Sequence, residues 1–399
     1  MPAPGRRLGD LIPAYMRYTA KSEPPDSYHL WSFLAMVASV ARRNVWIDMG
    51  FGKIYCNVYV VLIGPAGKCR KTTAIKLAKG VVTGIPDVNF SADSTTRQSL
   101  SQTLKELETT VTIPTEDGKE YYTHCSMTIL SKELSVFLGE KNLDLLAFLT
   151  DVYDCPSTWV YRTKNQGEDV LQNVWVSLLG ASTPDWLVGA LGDSAIGGGF
   201  TSRVIFVVEQ DVRHKVFRYE LTEEERALGE DIRADLGHVA LARGPFSMTE
   251  GAAELCAAWY EQVDNNPLLK DRRFTGYITR KHMHLLKVAM LISLCESNAL
   301  VIKEDHIARA LDYLDAIEPS MVQAFGYAGR SELAPAIGLI KEYIKMSGSI
   351  SRPHLLKATA LDVTPQNFDI VITTLINTGD ISVDSRGGII YYAWKEDQQ

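Results

Sequence analysis

The chain has 399 residues, 46% of them apolar and 22% charged, and a net charge of −7. That length exceeds one ordinary domain, and the composition excludes a disordered or fibrous chain. The acidic balance excludes a surface that is basic all over, but not a basic patch.

The six cysteines are scattered without a C-x-x-C pair, so neither a disulfide framework nor a metal cluster is expected, and a reducing cytoplasm fits. No apolar run approaches the ~20 residues needed to cross a bilayer, so no membrane partner is expected. The opening MPAPGRRLGD lacks the apolar stretch of a secretory signal.

In chain order, residues 8–42 predict two helices, the second over 28–42 with Trp31, Leu34, Val37 and Val40 on a helical period. Residues 45–49 and 54–63 predict strands. The apolar run Tyr59–Ile63 then meets a glycine-rich turn, GPAGKCRKTT, followed by a helix to about residue 82. Strand, glycine turn and helix form the pattern of a nucleotide triphosphate site, in which backbone N–H groups, a lysine and a hydroxyl that binds Mg²⁺ together neutralise the phosphates. The usual spacing is G-x-x-x-x-G-K-[ST]. Here Arg70 replaces the last glycine, and Gly64 lies one residue further from Lys71 than usual. Lys68 is the alternative lysine, but Cys69 follows it where a hydroxyl is needed. Lys71 followed by Thr72 is preferred. The expected phosphate cradle is Gly64, Pro65, Ala66, Gly67, Arg70, Lys71, Thr72 and Thr73, with Thr72 on Mg²⁺. The plainer alternative is a basic turn.

Further on, residues 88–91 predict a short strand, 96–107 a helix and 112–122 a hairpin with a D-G turn. The strand 125–130 runs into Ser131, Lys132 and Glu133. An ATPase needs an acid near the metal and the attacking water at such a strand end, which makes Glu133 the candidate base, with Asp151 and Asp154 as lesser candidates. Two strand-like runs flank 163–167 as an inserted hairpin. Lys164 and Asn165 at its tip are candidates for holding nucleic-acid phosphates, or belong to an ordinary exposed turn.

The strand 174–180 ends near Ser182 and Thr183, which either reach the γ-phosphate or cap the next helix. In IGGGFTSRVIFVV, Arg203 opens a strand. It either completes a neighbouring subunit's site or pairs with Glu209 or Asp211. Residues 249–328 read as purely helical. Within them Arg280 and Lys287 are candidates for reaching the triphosphate from a lid, or sit on a solvated face; His282 and His284 do not share a face and make poor metal ligands. Residues 333–396 predict three short helices and a hairpin, a winged-helix pattern. Its third helix, 365–378, carries Gln366 and Asn367 but no Lys or Arg; Arg352, His354, Lys357 and Arg386 are the nearby positives.

The fold class expected is therefore α/β: a P-loop core with a parallel sheet flanked by helices, a helical lid and a C-terminal winged helix. The boundaries expected are 1–44 for an N-terminal helical segment, 45–215 for the core, 216–330 for the lid and 331–399 for the winged helix.

The blocks GPAGKCRKTT, ILSKELSVFL, YRTKNQGE, LLGASTPDWL, GGGFTSRVIFV and YITRKHMHLLKVAM occur in this order. Over roughly residues 25–325 the chain thereby resembles the AAA+ ATPase modules of phage and mobile-element replication proteins, a group often fused to primases. The resemblance implies a hexameric ring that hydrolyses ATP with Mg²⁺ and translocates on single-stranded DNA as a helicase motor in the host cytoplasm. A primase or other replication proteins would be partners. By matching motif, Lys71 and Thr72 would bind phosphate and Mg²⁺. Glu133 would be the catalytic acid, Thr183 the sensor, Arg203 the finger acting in trans and Lys164 the pore contact. No Asp precedes Glu133, where the commoner pattern has one.

Overall fold

The structure is a computed structural model. It describes residues 5–115, 118–139, 142–163, 167–184, 186, 199–324 and 333–395. The boundaries expected at 44 and 215 fall inside one compact unit, Met1–Gly326; a second unit covers Tyr327–Gln399.

The first unit is built on five strands in the order β4-β5-β8-β3-β9. Their ranges are β3 Tyr59–Ile63, β4 Glu108–Thr115, β5 Gly118–Ser131, β8 Val174–Ser182 and β9 Val204–Val208. Strand β3 reads YVVLI and every residue of it is buried. A continuous apolar run suits a central strand covered on both faces, where an alternating pattern would leave one face wet. It lies between β8 and β9, parallel to both. The second half of β5 runs parallel to β8, while its first half pairs with β4 as an antiparallel hairpin. Phe90 adds a single parallel bridge to Thr128, where a short strand was expected.

Helices α1 (Leu11–Tyr18) and α2 (Asp26–Ala41) precede the sheet. Thirteen of the sixteen residues of α2 are buried. A helix apolar all round belongs inside a core, and α2 packs on the helix after β3 and on β3 itself. This is why the N-terminal segment and the core form one unit. The lid region is tied in as well. A second sheet has the order β11-β10-β1-β2, in which β1 (Val45–Asp48) runs parallel to β10 (Gly244–Met248), β2 (Lys53–Tyr55) edges β1, and β11 (Val301–Ile302) edges β10. The expected strand 54–63 is thus split between two sheets, and the region expected to be purely helical contributes a strand. The remaining helices of this unit include Glu223–Val239, Arg272–Glu296 and Glu304–Ala324.

The second unit has helices Ala334–Ser347, Arg352–Thr359 and Pro365–Asn377 and a three-stranded antiparallel sheet. The sheet joins β12 (Ser349–Ser351), β14 (Ile389–Trp394) and β13 (Ile381–Arg386), so one short strand joins the expected hairpin. Ile340, Leu355, Phe368, Val371, Leu375 and Tyr392 form its core.

Candidate nucleotide site

Because β3, β5, β8 and β9 run in parallel, their C-terminal ends share one edge of the sheet. Ile63 is in register with Ser182 and Val208, and Ser131 with Gly180. Ligands of open α/β sheets sit at this edge.

The turn after β3 is closely built. Tyr28 of α2 donates to the Ile63 carbonyl at 2.5 Å, and the Gly64 N–H donates to the Ser182 carbonyl at 3.3 Å. A Cβ on Gly64 would lie 2.7 Å from the Glu209 carbonyl and the Tyr28 hydroxyl, and 2.8 Å from Cys69 Sγ. Only glycine fits there. Gly67 and Arg70 both have positive φ, +70° and +55°. Arg70 therefore holds a left-handed conformation at the position where the usual motif has a glycine, at a cost of about 1–2 kcal/mol. Its side chain turns outward to Glu23 (Nε to Oε2, 2.7 Å) and back to the Gly67 carbonyl (3.1 Å).

Helix α3, Lys71–Val82, starts directly after Arg70 without a side-chain cap. Among the described residues only Thr73 and Ala74 of its first turn donate, both to the Arg70 carbonyl. The Lys71 ammonium folds over the turn onto the carbonyls of Gly64 and Pro65, the latter at 3.2 Å. Burial lowers its pKa, and nearby Cys69 and Glu133 act in the opposite direction. Lys68 points away: its Nζ is 4.0 Å from Asp211, and both side chains are exposed. Thr72 and Thr73 are half-buried in the first turn. A helix N-terminus whose first N–H groups have no partner among the described residues, with a lysine across it, is the kind of geometry from which an anion cradle is built.

Glu133 lies beyond the end of β5, exposed, and accepts a hydrogen bond from Ser135 at 3.1 Å. Thr183 follows β8, and its Oγ1 accepts the Trp186 N–H at 3.5 Å, so capping geometry is present there. Beside the turn is a cavity of about 680 Å³ bounded by Gly67, Lys68, Arg70, Glu23, Lys215 and Phe217. The 211–217 strap that forms its far wall is fastened by Arg213, which donates to the Ser22 and Thr19 carbonyls and pairs with Asp26.

Arg203 lies elsewhere. It precedes β9, whose first residue, Val204, is in register with Tyr59, so it sits at the opposite edge of the sheet, one strand length (~15 Å) from the turn. Its guanidinium is largely buried and pairs with Asp154 at 2.5 Å rather than with Glu209 or Asp211, and it also donates to the Gly199 carbonyl at 2.7 Å. Arg280 joins it, 3.7 Å from the same carboxylate. The structure therefore groups Arg280 with Arg203 and Asp154, not with Gly64–Thr73 as a cis lid contact requires. Asp154 likewise serves the arginines, not Thr72. Lys287 is corrected too. It is buried (2% exposed), bonds Asn57 Oδ1 and lies 4.3 Å from the Tyr153 ring centroid. Burial holds its pKa down to about 8.

Strands β6 (Thr158–Thr163) and β7 (Gly167–Gln172) form the expected inserted hairpin. Lys164 and Asn165 lie outside the described residues. In the second unit Arg352 pairs with Asp369 at 2.6 Å and Arg386 with Asp384 at 2.8 Å, so two of the four expected positives are already partnered.

Sequence reasoning missed Tyr28 and Asp154 as partners of the turn and of Arg203; neither contact has a local signal. Among the described residues no group of three or more His, Cys, Asp or Glu is placed to hold a metal, and no helix is long and apolar enough to cross a membrane. No protein-family model and no curated protein matches the chain.

Proposed function

We propose that the chain is an ATP-dependent DNA motor of the P-loop AAA+ class, acting as a hexameric ring that translocates on single-stranded DNA as a replicative helicase. The observation that carries this reading is the cradle after β3: an uncapped helix N-terminus, a lysine laid across it and a glycine that admits no Cβ. These residues suit the charge of a triphosphate. Lys71 and the first-turn N–H groups would bind the phosphates, and Thr72 would hold Mg²⁺, which supplies further neutralisation of phosphate charge when bound. Glu133, close enough to influence Lys71, would orient the attacking water as base.

The opposite-edge position of Arg203 supports a role in trans. It faces away from its own turn, so it would stabilise charge in a neighbouring copy's site. The second unit is proposed as a winged helix.

ATP hydrolysis and particle size measured together, with and without single-stranded DNA, test the proposal. DNA-stimulated turnover by a ring-sized particle supports it. Absence of both binding and stimulation overturns it.

One observation favours a second reading. The helix Pro365–Asn377 lacks Lys and Arg, which suits a protein contact better than a groove reader. A ring that loads or remodels a DNA-bound partner would show stimulated ATPase without strand displacement.

A further inference from the structure

A cavity of about 400 Å³ lies at the far end of α3 from Lys71, within the range that small-ligand sites occupy. Three arginines line it: Arg42 from the end of α2, Arg233 from the helix Glu223–Val239, and Arg243 just before β10. Among the described residues Asp87 is the one carboxylate in the lining, and Ile85 and Leu241 add apolar wall.

Arg42 and Arg243 are under-partnered. Arg42 is 3% exposed, and among the described residues its one ion pair is to Asp87 at 3.2 Å, through Nη1. Among the described residues its buried Nε has no hydrogen-bond partner, and neither has the buried Nε of Arg233. Arg233 also pairs with Glu230 and donates to the Gly80 carbonyl at 3.1 Å. Arg243 donates only to carbonyls, those of Ala240 and Ala242, and has no ion pair among the described residues. Burial, then the repulsion of Arg42, pulls its pKa down to about 10. Arg42 and Asp87 both hold positive φ, +55° and +59°, so the backbone is strained where it brings this pair together. A buried charge without a partner is costly, and the lining carries more cationic than anionic groups.

We propose that this cavity is a phosphate-binding site, separate from the cradle at Lys71. Three guanidiniums lining one cavity from different elements suit an acceptor with three or more oxygens, which a phosphate offers and a carboxylate does not. The phosphate belongs either to a small phosphoester or to a nucleic-acid backbone. The inference does not rest on the nucleotide reading of the cradle.

The test uses the full chain carrying Lys71→Ala, which removes the contribution of the cradle. Binding of pyrophosphate and of a fluorescent oligo-dT is titrated calorimetrically and by anisotropy, with and without Arg243→Gln. A loss of roughly tenfold or more in affinity on Arg243→Gln upholds the site. A loss for pyrophosphate identifies a small phosphoester; a loss confined to the oligonucleotide identifies the backbone. If Arg243→Gln does not fold, Asp87→Asn replaces it. Freeing Arg42 from its competing carboxylate is expected to tighten binding several-fold. Absence of any binding in the Lys71→Ala chain, or binding indifferent to the substitution used, overturns the proposal.

Discussion

Arg203 donates to the carboxylate of Asp154 at 2.5 Å, at the edge of the sheet remote from Lys71. If sites are shared between copies, a chain with an intact arginine and a dead cradle complements one with an intact cradle and no arginine. Arg203→Ala and Lys71→Ala, each inactive alone, are expected to recover part of the ATPase activity when mixed. No recovery at any mixing ratio counts against the trans role.

The two lysines of the turn are expected to behave differently. Lys71 spans the Gly64 and Pro65 carbonyls, whereas Lys68 makes only a long, exposed contact to Asp211. Lys71→Ala should abolish ATP turnover and weaken binding of an ATP analogue. Lys68→Ala should leave turnover within a few-fold and stability within ~1 kcal/mol. Turnover that survives in Lys71→Ala and vanishes in Lys68→Ala would reverse the assignment.

Two glycines on either side of the same helix boundary should respond with opposite signs. Gly64→Ala forces a methyl against two backbone or hydroxyl oxygens and a sulfur, and should cost about 2–3 kcal/mol. Gly80, inside α3, has open space where a methyl would go, so Gly80→Ala should gain about 0.5–1 kcal/mol. Urea melts of the two variants read both values.

Acid stability follows from three buried histidines. Burial is the main force pushing His29, His124 and His284 down to about 3. The unfolded chain binds protons at these residues below its ordinary pKa of ~6.5, while the folded chain does not. The contribution of these histidines is therefore constant above that value and falls between pH 6.5 and 3, by up to ~1.4 kcal/mol per pH unit for each histidine. His29 contacts Ser22 through Nε2 at 2.8 Å, so His29→Gln keeps a polar partner there. It should flatten the pH dependence by one histidine's share in chemical denaturation at pH 4 to 7. An unchanged slope would show that His29 is not one of the groups titrating.

Much of the cradle was legible because its signals are local. An apolar run, a glycine turn and a helical period occupy about twenty consecutive residues, and β3, Gly64 and α3 fall where that pattern puts them. The pairing of Arg203 with Asp154 was not legible: the residues are 49 apart in sequence, and Glu209 and Asp211 lay nearer. Lys287 misled for a physical reason. A basic residue on a helix suggests solvent, yet its neighbours Leu286, Val288 and Ala289 are all buried, and the helix carries the lysine inward to Asn57. The strand Gly244–Met248 was hidden because GPFSM holds a glycine and a proline and has no β-branched residue.

That strand has a consequence for how the protein is made. Val45, Trp46 and Ile47 take their parallel partners from Gly244, Pro245 and Phe246, so a nascent chain must carry an open backbone edge through the synthesis of some two hundred further residues. A truncation at residue 215 would keep Lys71, Thr72, Glu133 and Arg203 and still leave that edge bare, open to pairing with another chain.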